Sequence, residues 1–364
     1  MGDTVRIGII GTGFARTTQI PAFLACEGAR VVAIASGHRE NAARVAQTFN
    51  IPHVADDWRE LVARDDLDLV SIVTPPATHM EMALAALDAG KAVLCEKPMA
   101  MNADETRRMV ERAERTGAFA LIDHELRFLN GRRRMRELVQ SGEIGRVTHI
   151  KIFFRNATRA RPDRPWNWWS DAKQGGGVLG AIGSHAVDSV RWLLGTEVEE
   201  VCCSLATHIK ERRDAQTGAM RPVTSDDEAL LLLRLAKTDL VEDATGLISL
   251  SVVEAGRQDH FTEIFGTRGA LRIEERGELW RAEPSGDRWE MVPVEPTDLA
   301  PGLLDNGWSR GFTAFAREIV KALREGRRSV EGAATFADGH RVQLVLDAAR
   351  RAHESGCWTS VNGS

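Results

Sequence analysis

Short, largely apolar runs alternate with helix-length segments from the first residues of the chain, and this alternation restricts the fold more than any other feature. Residues 5–10, 30–35, 69–73, 92–95 and 119–122 read as buried strands, because runs without a polar face fit a sheet covered on both sides. Between them, residues 40–49, 78–89 and 103–116 have helical composition, and Gly90 and Gly117 follow two of these segments as expected C-caps. Such alternation specifies a doubly wound parallel sheet.

After His124 the rhythm changes. A basic amphipathic helix over 130–141 leads into a strand over 147–154 and then a loop rich in Pro and Trp, 159–174. Gly175, Gly176 and Gly177 open another helix reaching 194. Residues 201–209, 229–235, 245–253, 261–265, 270–274 and 278–282 are strand-like in succession, which suits a largely antiparallel mixed sheet, and helices over 311–325 and 333–353 close the chain. The 364 residues exceed the size at which one core stops growing. The expectation is an α/β N-terminal domain over 1–123 and an α+β domain over 124–364.

Composition removes several function classes. With 47 Lys plus Arg against 52 Asp plus Glu, the formal charge is -5, so no overall positive field exists to attract nucleic acid or an anionic membrane. Cys26, Cys95, Cys202, Cys203 and Cys357 are too scattered for a disulfide framework, and no Cys/His cluster has zinc spacing, so reduced thiols and no metal are expected. No stretch is apolar for the roughly 20 residues a membrane helix needs, and the opening MGDTVRIGIIG resembles no secretory leader, which together suggest a cytoplasmic protein.

The first strand runs into Gly11-Thr12-Gly13 and then, through Phe14 and Ala15, into a helix. This is where a Rossmann sheet holds the pyrophosphate of a dinucleotide, since glycine lets backbone N–H groups approach the phosphates. Arg16 stands where a third glycine is usual. At the tip of the second strand, Ser36-Gly37-His38-Arg39 carries no acid to accept from the adenosine ribose 2'-hydroxyl. A hydroxyl and a guanidinium suit a 2'-phosphate, so the cofactor is NAD(P) with NADP favoured.

Further along stand Thr74-Pro75-Pro76 with His79, then Glu96-Lys97-Pro98 closing a buried strand, Arg127-Phe128, the glycine run, and Gly183-Ser184-His185 with Asp188. In this order they resemble the motifs of the glucose-fructose oxidoreductase / inositol dehydrogenase (Gfo/Idh/MocA) family over essentially the whole chain. The resemblance implies hydride transfer between a secondary hydroxyl of a sugar, sugar derivative or cyclitol and the nicotinamide. It implies that Lys97 stabilises the alkoxide and His185 accepts the proton, in a cleft between the domains. It also implies cofactor contacts from Thr74, Pro75, Pro76, His79, Glu96 and Lys97, and a cis bond at Lys97-Pro98. Two departures stand out: Ala181 replaces an Asp four positions before the histidine, and Pro76 replaces an Asn.

Arg155, Asn156, Trp166, Trp168, Lys173, His185 and Asp188 form the expected substrate surface, Trp faces meeting sugar C–H groups and the polar ends meeting hydroxyls or an anionic group. Trp169 completes the cluster, at least one member of which should simply anchor the loop. The chain has no tyrosine, which excludes a phenolic proton relay. Apolar alternation on both faces of the second sheet suggests a homodimer or homotetramer. Two other readings fit the same motifs: a non-catalytic dinucleotide-binding sugar sensor, and a glycosidase using tightly held NAD.

Overall fold

The computed structural model describes residues 4–362. The chain forms two compact units, one running to Leu129 and resuming over Thr297–His340, the other covering Asn130–Pro296 and resuming at Arg341. The division expected after 123 therefore falls six residues later, and a C-terminal segment rejoins the first unit.

In the first unit, β1 (Val5–Ile10), β2 (Ala29–Ala35), β3 (His53–Val54), β4 (Leu69–Ile72), β5 (Ala92–Cys95) and β6 (Ala120–Ile122) are parallel and ordered β6-β5-β4-β1-β2-β3. Helices α1 (Ile20–Leu24), α2 (Arg39–Phe49), α3 (Trp58–Val62), α4 (His79–Asp88) and α5 (Ala103–Thr116) occupy the connections. Successive side chains of a strand point to opposite faces, so Leu69 and Leu94 enter one core while Val70, Ile72, Val93 and Cys95 enter the other. That division explains the continuous apolar runs. The strand order reverses between β1 and β4, and the crevice at the carboxyl ends beside such a reversal is where doubly wound sheets bind ligands.

The rejoining segment contributes α8 (Gly307–Arg324). Phe312 and Phe315 of this helix pack with Phe23 and Phe128, the Phe128 and Phe315 rings stacking at 4.3 Å. All four are fully buried, each contributing roughly 2–3 kcal/mol relative to an exposed ring. Gly311 permits the approach: a Cβ there would lie 2.6 Å from the Glu125 carbonyl oxygen.

The second unit begins with α6 (Asn130–Gln140) and a mixed sheet built on β7 (Val147–Asn156). α7 (Ser184–Leu194) precedes β8 (Val198–Ala206), and β9 (Glu211–Arg213) and β10 (Met220–Pro222) form a separate ribbon. β11 (Glu228–Leu235), β12 (Val241–Ser251), β13 (Gln258–Gly266), β14 (Gly269–Glu274), β15 (Leu279–Ala282) and β16 (Glu290–Val292) follow. In the first unit, β17 (Ala334–Thr335) pairs antiparallel with β6, and α9 (Phe336–Ser355) then leads to β18 (Thr359–Ser360), which pairs with β8. The nine strands run in the order β16-β15-β14-β13-β7-β12-β11-β8-β18, antiparallel except for the β7–β12 pair.

Alternation gives this sheet two unlike faces. Ile150, Ile152, Leu231, Leu233, Ile248, Leu250 and Ile264 enter a core shared with buried residues of α6, α7 and α9. The opposite face carries a stacked Phe153–Phe261 pair, Arg155 between Glu228 and Glu254, and the exposed Leu230 and Leu232. No helix among the described residues is long and apolar enough to cross a membrane.

Candidate active site

The glycine turn after β1 is needed at Gly11, where φ is +111° and a Cβ would lie 2.2 Å from the Val73 carbonyl oxygen. Gly13 and Gly37 face open space instead. Thr12 is half-buried, Phe14 packs edge-on against Phe312 at 6.3 Å, and Ala15 is fully buried where the helical segment starts. Arg16 is exposed. At the tip of β2, the Ser36 hydroxyl accepts from the His38 N–H, while Arg39 pairs with Asp56. Asp56 is a carboxylate that the reading of the tip missed, because it arrives from the segment after β3.

The loop after β4 holds its own shape. Thr78 Oγ1 lies 2.8 Å from Thr74 Oγ1 and 2.9 Å from the Pro75 carbonyl oxygen, either of which can accept its proton, and Pro76 is buried. His79, expected among the cofactor contacts, is completely buried. Its ring nitrogens lie 2.8 Å from the Thr74 carbonyl and 3.1 Å from that of Pro98, and burial holds its pKa below the ordinary value. The imidazole thus ties this loop to the one after β5.

That second loop carries Glu96, the half-buried Lys97 and a cis Lys97-Pro98 bond, as expected. The Glu96 carboxylate turns inward. Gln19 Nε2 donates to Glu96 Oε1 and to Asp123 Oδ2, both at 2.9 Å, while Ser71 Oγ donates to Gln19 Oε1 at 2.6 Å. Glu96, Asp123 and Glu125 are 8%, 0% and 1% exposed. Burial foremost, then mutual repulsion, drives the Asp123 and Glu125 carboxyls upward, Glu125 to about 8. Burial raises Glu96 as well, against the lowering pull of the Lys97 ammonium. Burial thus favours the protonated form of these carboxyls, beside the lysine.

In the second unit, Gly177 has φ +115° and a Cβ there would lie 2.4 Å from Asp226 Oδ1, while the other Asp226 oxygen accepts from the Leu179 N–H at 2.7 Å. Asp226 thereby fixes how the glycine run enters a π-helical turn, Leu179–Gly183, that continues as α7. His185 and Asp188 stand one turn apart on α7, 4% and 3% exposed, and Ala181 precedes them half-buried. No group of three or more His, Cys, Asp or Glu among the described residues is arranged to hold a metal ion.

The expected substrate residues divide. Arg155 is held by Glu228, Glu254 and Ser249 on the open sheet face, so its donors already have acceptors. The Asn156 side chain accepts from Thr158 N–H and Oγ1 and shapes the loop start. Trp166 Nε1 donates to the Pro222 carbonyl, with Arg221 3.3 Å from the ring centroid, which makes it a loop anchor. Trp168 is half-buried and Lys173 exposed. Sequence reasoning missed Gln19, Asp123, Glu125 and Asp226; for the pair around His124, carboxylates placed directly after a buried strand were the available signal.

Comparison with known proteins accounts for this arrangement. Residues 5–124 match the model of an oxidoreductase family with an NAD-binding Rossmann fold, and residues 132–272 match the Gfo/Idh/MocA C-terminal domain. An uncharacterised oxidoreductase of Synechocystis is 30% identical over 98% of this chain and 96% of its own length. The levoglucosan dehydrogenase of Pseudarthrobacter phenanthrenivorans is 29% identical over 99% and 98%. A levoglucosan dehydrogenase structure in complex with NADH and levoglucosan superposes with a TM-score of 0.86 at 29% identity, covering 99% of this chain and all of that one. With both halves matched in order and the glycine turn after β1, Lys97 loop and glycine-run helix in place, the chain belongs to the Gfo/Idh/MocA family of NAD-binding oxidoreductases.

Proposed function

We propose that this protein oxidises a secondary hydroxyl of a sugar, sugar derivative or cyclitol, with NADP preferred over NAD. The observation that carries the reading is Lys97, a half-buried lysine at the carboxyl end of β5, in a family whose levoglucosan dehydrogenase relatives bind NADH and a sugar. The bound nicotinamide supplies the hydride acceptor. The His185 imidazole would take the O–H proton of the carbinol and become an imidazolium, while the carbinol, giving up its C–H hydrogen with the bonding pair to that acceptor, would become a ketone. An ammonium at Lys97 stabilises the alkoxide charge that develops between these events. Asp188 supports the imidazole in place of the carboxylate missing at Ala181.

Nucleotide binding falls to the Gly11–Ala15 turn, the Thr74–Pro76 loop and the backbone around Glu96 and Lys97, with Ser36, Gly37, His38 and Arg39 receiving a 2'-phosphate. Trp168 and Lys173, just before the glycine run in sequence, are the substrate-side candidates. We assign the open face of the nine-stranded sheet to a homodimer or homotetramer contact, to be checked by sedimentation, and the protein to the cytoplasm.

The test is nicotinamide reduction with a panel of sugars, sugar acids, sugar phosphates and inositols. Lys97→Ala should lower kcat by about 10^3-fold while dinucleotide affinity stays within about tenfold, because an interaction made in the transition state contributes little to ground-state binding. His185→Ala should lower kcat and flatten the limb of the pH profile near neutrality. Wild-type turnover in both variants, or sugar binding without oxidation of any polyol, would replace this reading with the sensor. A higher kcat/KM for NAD than for NADP would overturn the cofactor preference.

A further inference from the structure

The loop that follows β7, together with the adjoining β9, concentrates positive charge. Arg159 in the loop and Arg212 on β9 are 8% and 2% exposed, and the exposed Arg164 lies close enough for its charge to act on both. Neighbouring arginines have carboxylate partners: Arg155 has Glu228 and Glu254, Arg161 has Asp163, and Arg221 has Asp214. Among the described residues, Arg159, Arg164 and Arg212 form no ion pair.

Their hydrogen bonds show different tasks. Arg212 donates to the backbone carbonyls of Arg159 at 2.6 Å, Arg161 at 2.8 Å and Arg164 at 3.4 Å, which braces the loop. Arg164 donates to the Thr158 carbonyl at 2.9 Å. The Arg159 guanidinium lies 3.9 Å from the Trp169 ring centroid, and its one side-chain hydrogen bond among the described residues runs from Nη2 to Asn167 Oδ1 at 3.1 Å. Its remaining N–H donors, in a planar fork, have the geometry that accepts two oxygens of one oxyanion.

Burial together with the charges of Arg164 and Arg212 brings Arg159 down to about 9, still protonated at neutrality. Holding a buried cation without a counter-charge is costly, and unlike a carboxylate it cannot be relieved by proton exchange near pH 7. The platform also adjoins the run leading to His185, since a Cβ at Gly176 would lie 2.3 Å from the Trp169 carbonyl oxygen.

We propose that Arg159, assisted by Arg164, is the anion-holding subsite for the substrate, so that the hydroxyl oxidised belongs to a sugar acid or sugar phosphate. The inference rests on the oxidoreductase reading for the word substrate, and on the unneutralised guanidinium for the word anion. The two parts fail separately.

The experiment uses the full-length protein, with inorganic phosphate as the probe at constant ionic strength. Wild-type Tm should rise by about 2 °C at a phosphate concentration ten times its dissociation constant. In Arg159→Met, which keeps a stem to pack on Trp169, that rise should vanish, while Tm without phosphate equals or exceeds the wild-type value. Arg159→Lys should keep part of the rise, and Arg161→Met all of it. In turnover assays, Arg159→Met should raise KM for an anionic sugar at least tenfold with little change in kcat, and leave neutral sugars unaffected. An unchanged phosphate response in Arg159→Met, or a lower Tm of that variant without phosphate, would overturn the anion site. Phosphate binding at Arg159 with no preference for anionic over neutral sugars would make the anion a separate effector and overturn the substrate assignment. Absence of oxidation with every sugar would defeat the oxidoreductase reading while the phosphate measurement still decides the site.

Discussion

In the first unit, Glu96, Asp123 and Glu125 are buried around Gln19; in the second, Arg159 and Arg212 are buried around a loop. Both regions take like charges out of water, yet they relieve the cost by different chemistry. A carboxyl takes up a proton and becomes neutral, which is why burial pushes all three acids upward. A guanidinium has no such exit in the physiological range. It must find carbonyl oxygens, as Arg212 does, or an anion. The same physical problem therefore gives a proton-holding site in one unit and an anion-seeking site in the other.

The largest expected effect separates the two arginines. Arg212→Met removes the donor shared by three loop carbonyls, and leaving buried acceptors unsatisfied should cost about 3–5 kcal/mol, a fall in Tm of roughly 4–7 °C for a protein of this size. Arg159→Met should cost nothing comparable. Equal losses in the two variants, measured by thermal unfolding, would erase the distinction between a brace and a ligand site.

The acidic region gives a middle-sized effect with a definite sign. The Glu125 carboxyl is raised from its ordinary value near 4.5 to about 8 in the folded protein, so between these values the native state binds more protons than the unfolded chain. Its contribution is therefore fully favourable below about 4.5 and declines as pH rises towards 8. Glu125→Gln replaces the titrating carboxyl by a neutral group of similar shape. Stability of the variant relative to wild type should improve between pH 5 and pH 8 by about 1–3 kcal/mol. Parallel denaturation curves for the two proteins across that range would remove the proton-holding role.

Much of this architecture was legible because burial on both faces leaves continuous apolar runs, as in β1, β4 and β5. The two-residue strands β3 and β17 carry no periodic signal, and the return of α8 to the first unit is decided by Phe312 and Phe315 finding Phe23 and Phe128 far away in sequence. At the site, Gly11 and Lys97 were readable from local pattern and resemblance. Arg155 looked equally available to substrate, but strand register delivers Glu228 and Glu254 to it, and register is not written locally. Asp123 and Glu125 belong to no local motif, and α8 packs against the Glu125 backbone through Gly311 only once the chain returns to the first unit. Arg159 and Arg212 meet across 53 residues, which no local motif encodes.

The smallest effect concerns a charge pair left in solvent, which serves as the reference for both buried regions. Arg39 and Asp56 pair at the tip of β2 with side chains 62% and 76% exposed, so water screens each of them whether or not the other is present. Asp56→Ala should consequently change Tm by no more than about 1 °C, in contrast to the buried variants. Its consequence lies in the cofactor. With Asp56 present, Arg39 is shared between a carboxylate and any incoming 2'-phosphate, and the carboxylate repels that phosphate. Removing it should raise the ratio of kcat/KM for NADP over NAD by about three- to tenfold, corresponding to one exposed charge interaction of roughly 1 kcal/mol. Steady-state kinetics with both nucleotides checks this directly. An unchanged ratio would mean that Arg39 does not meet the phosphate, and that Ser36-Gly37-His38 selects the nucleotide without it.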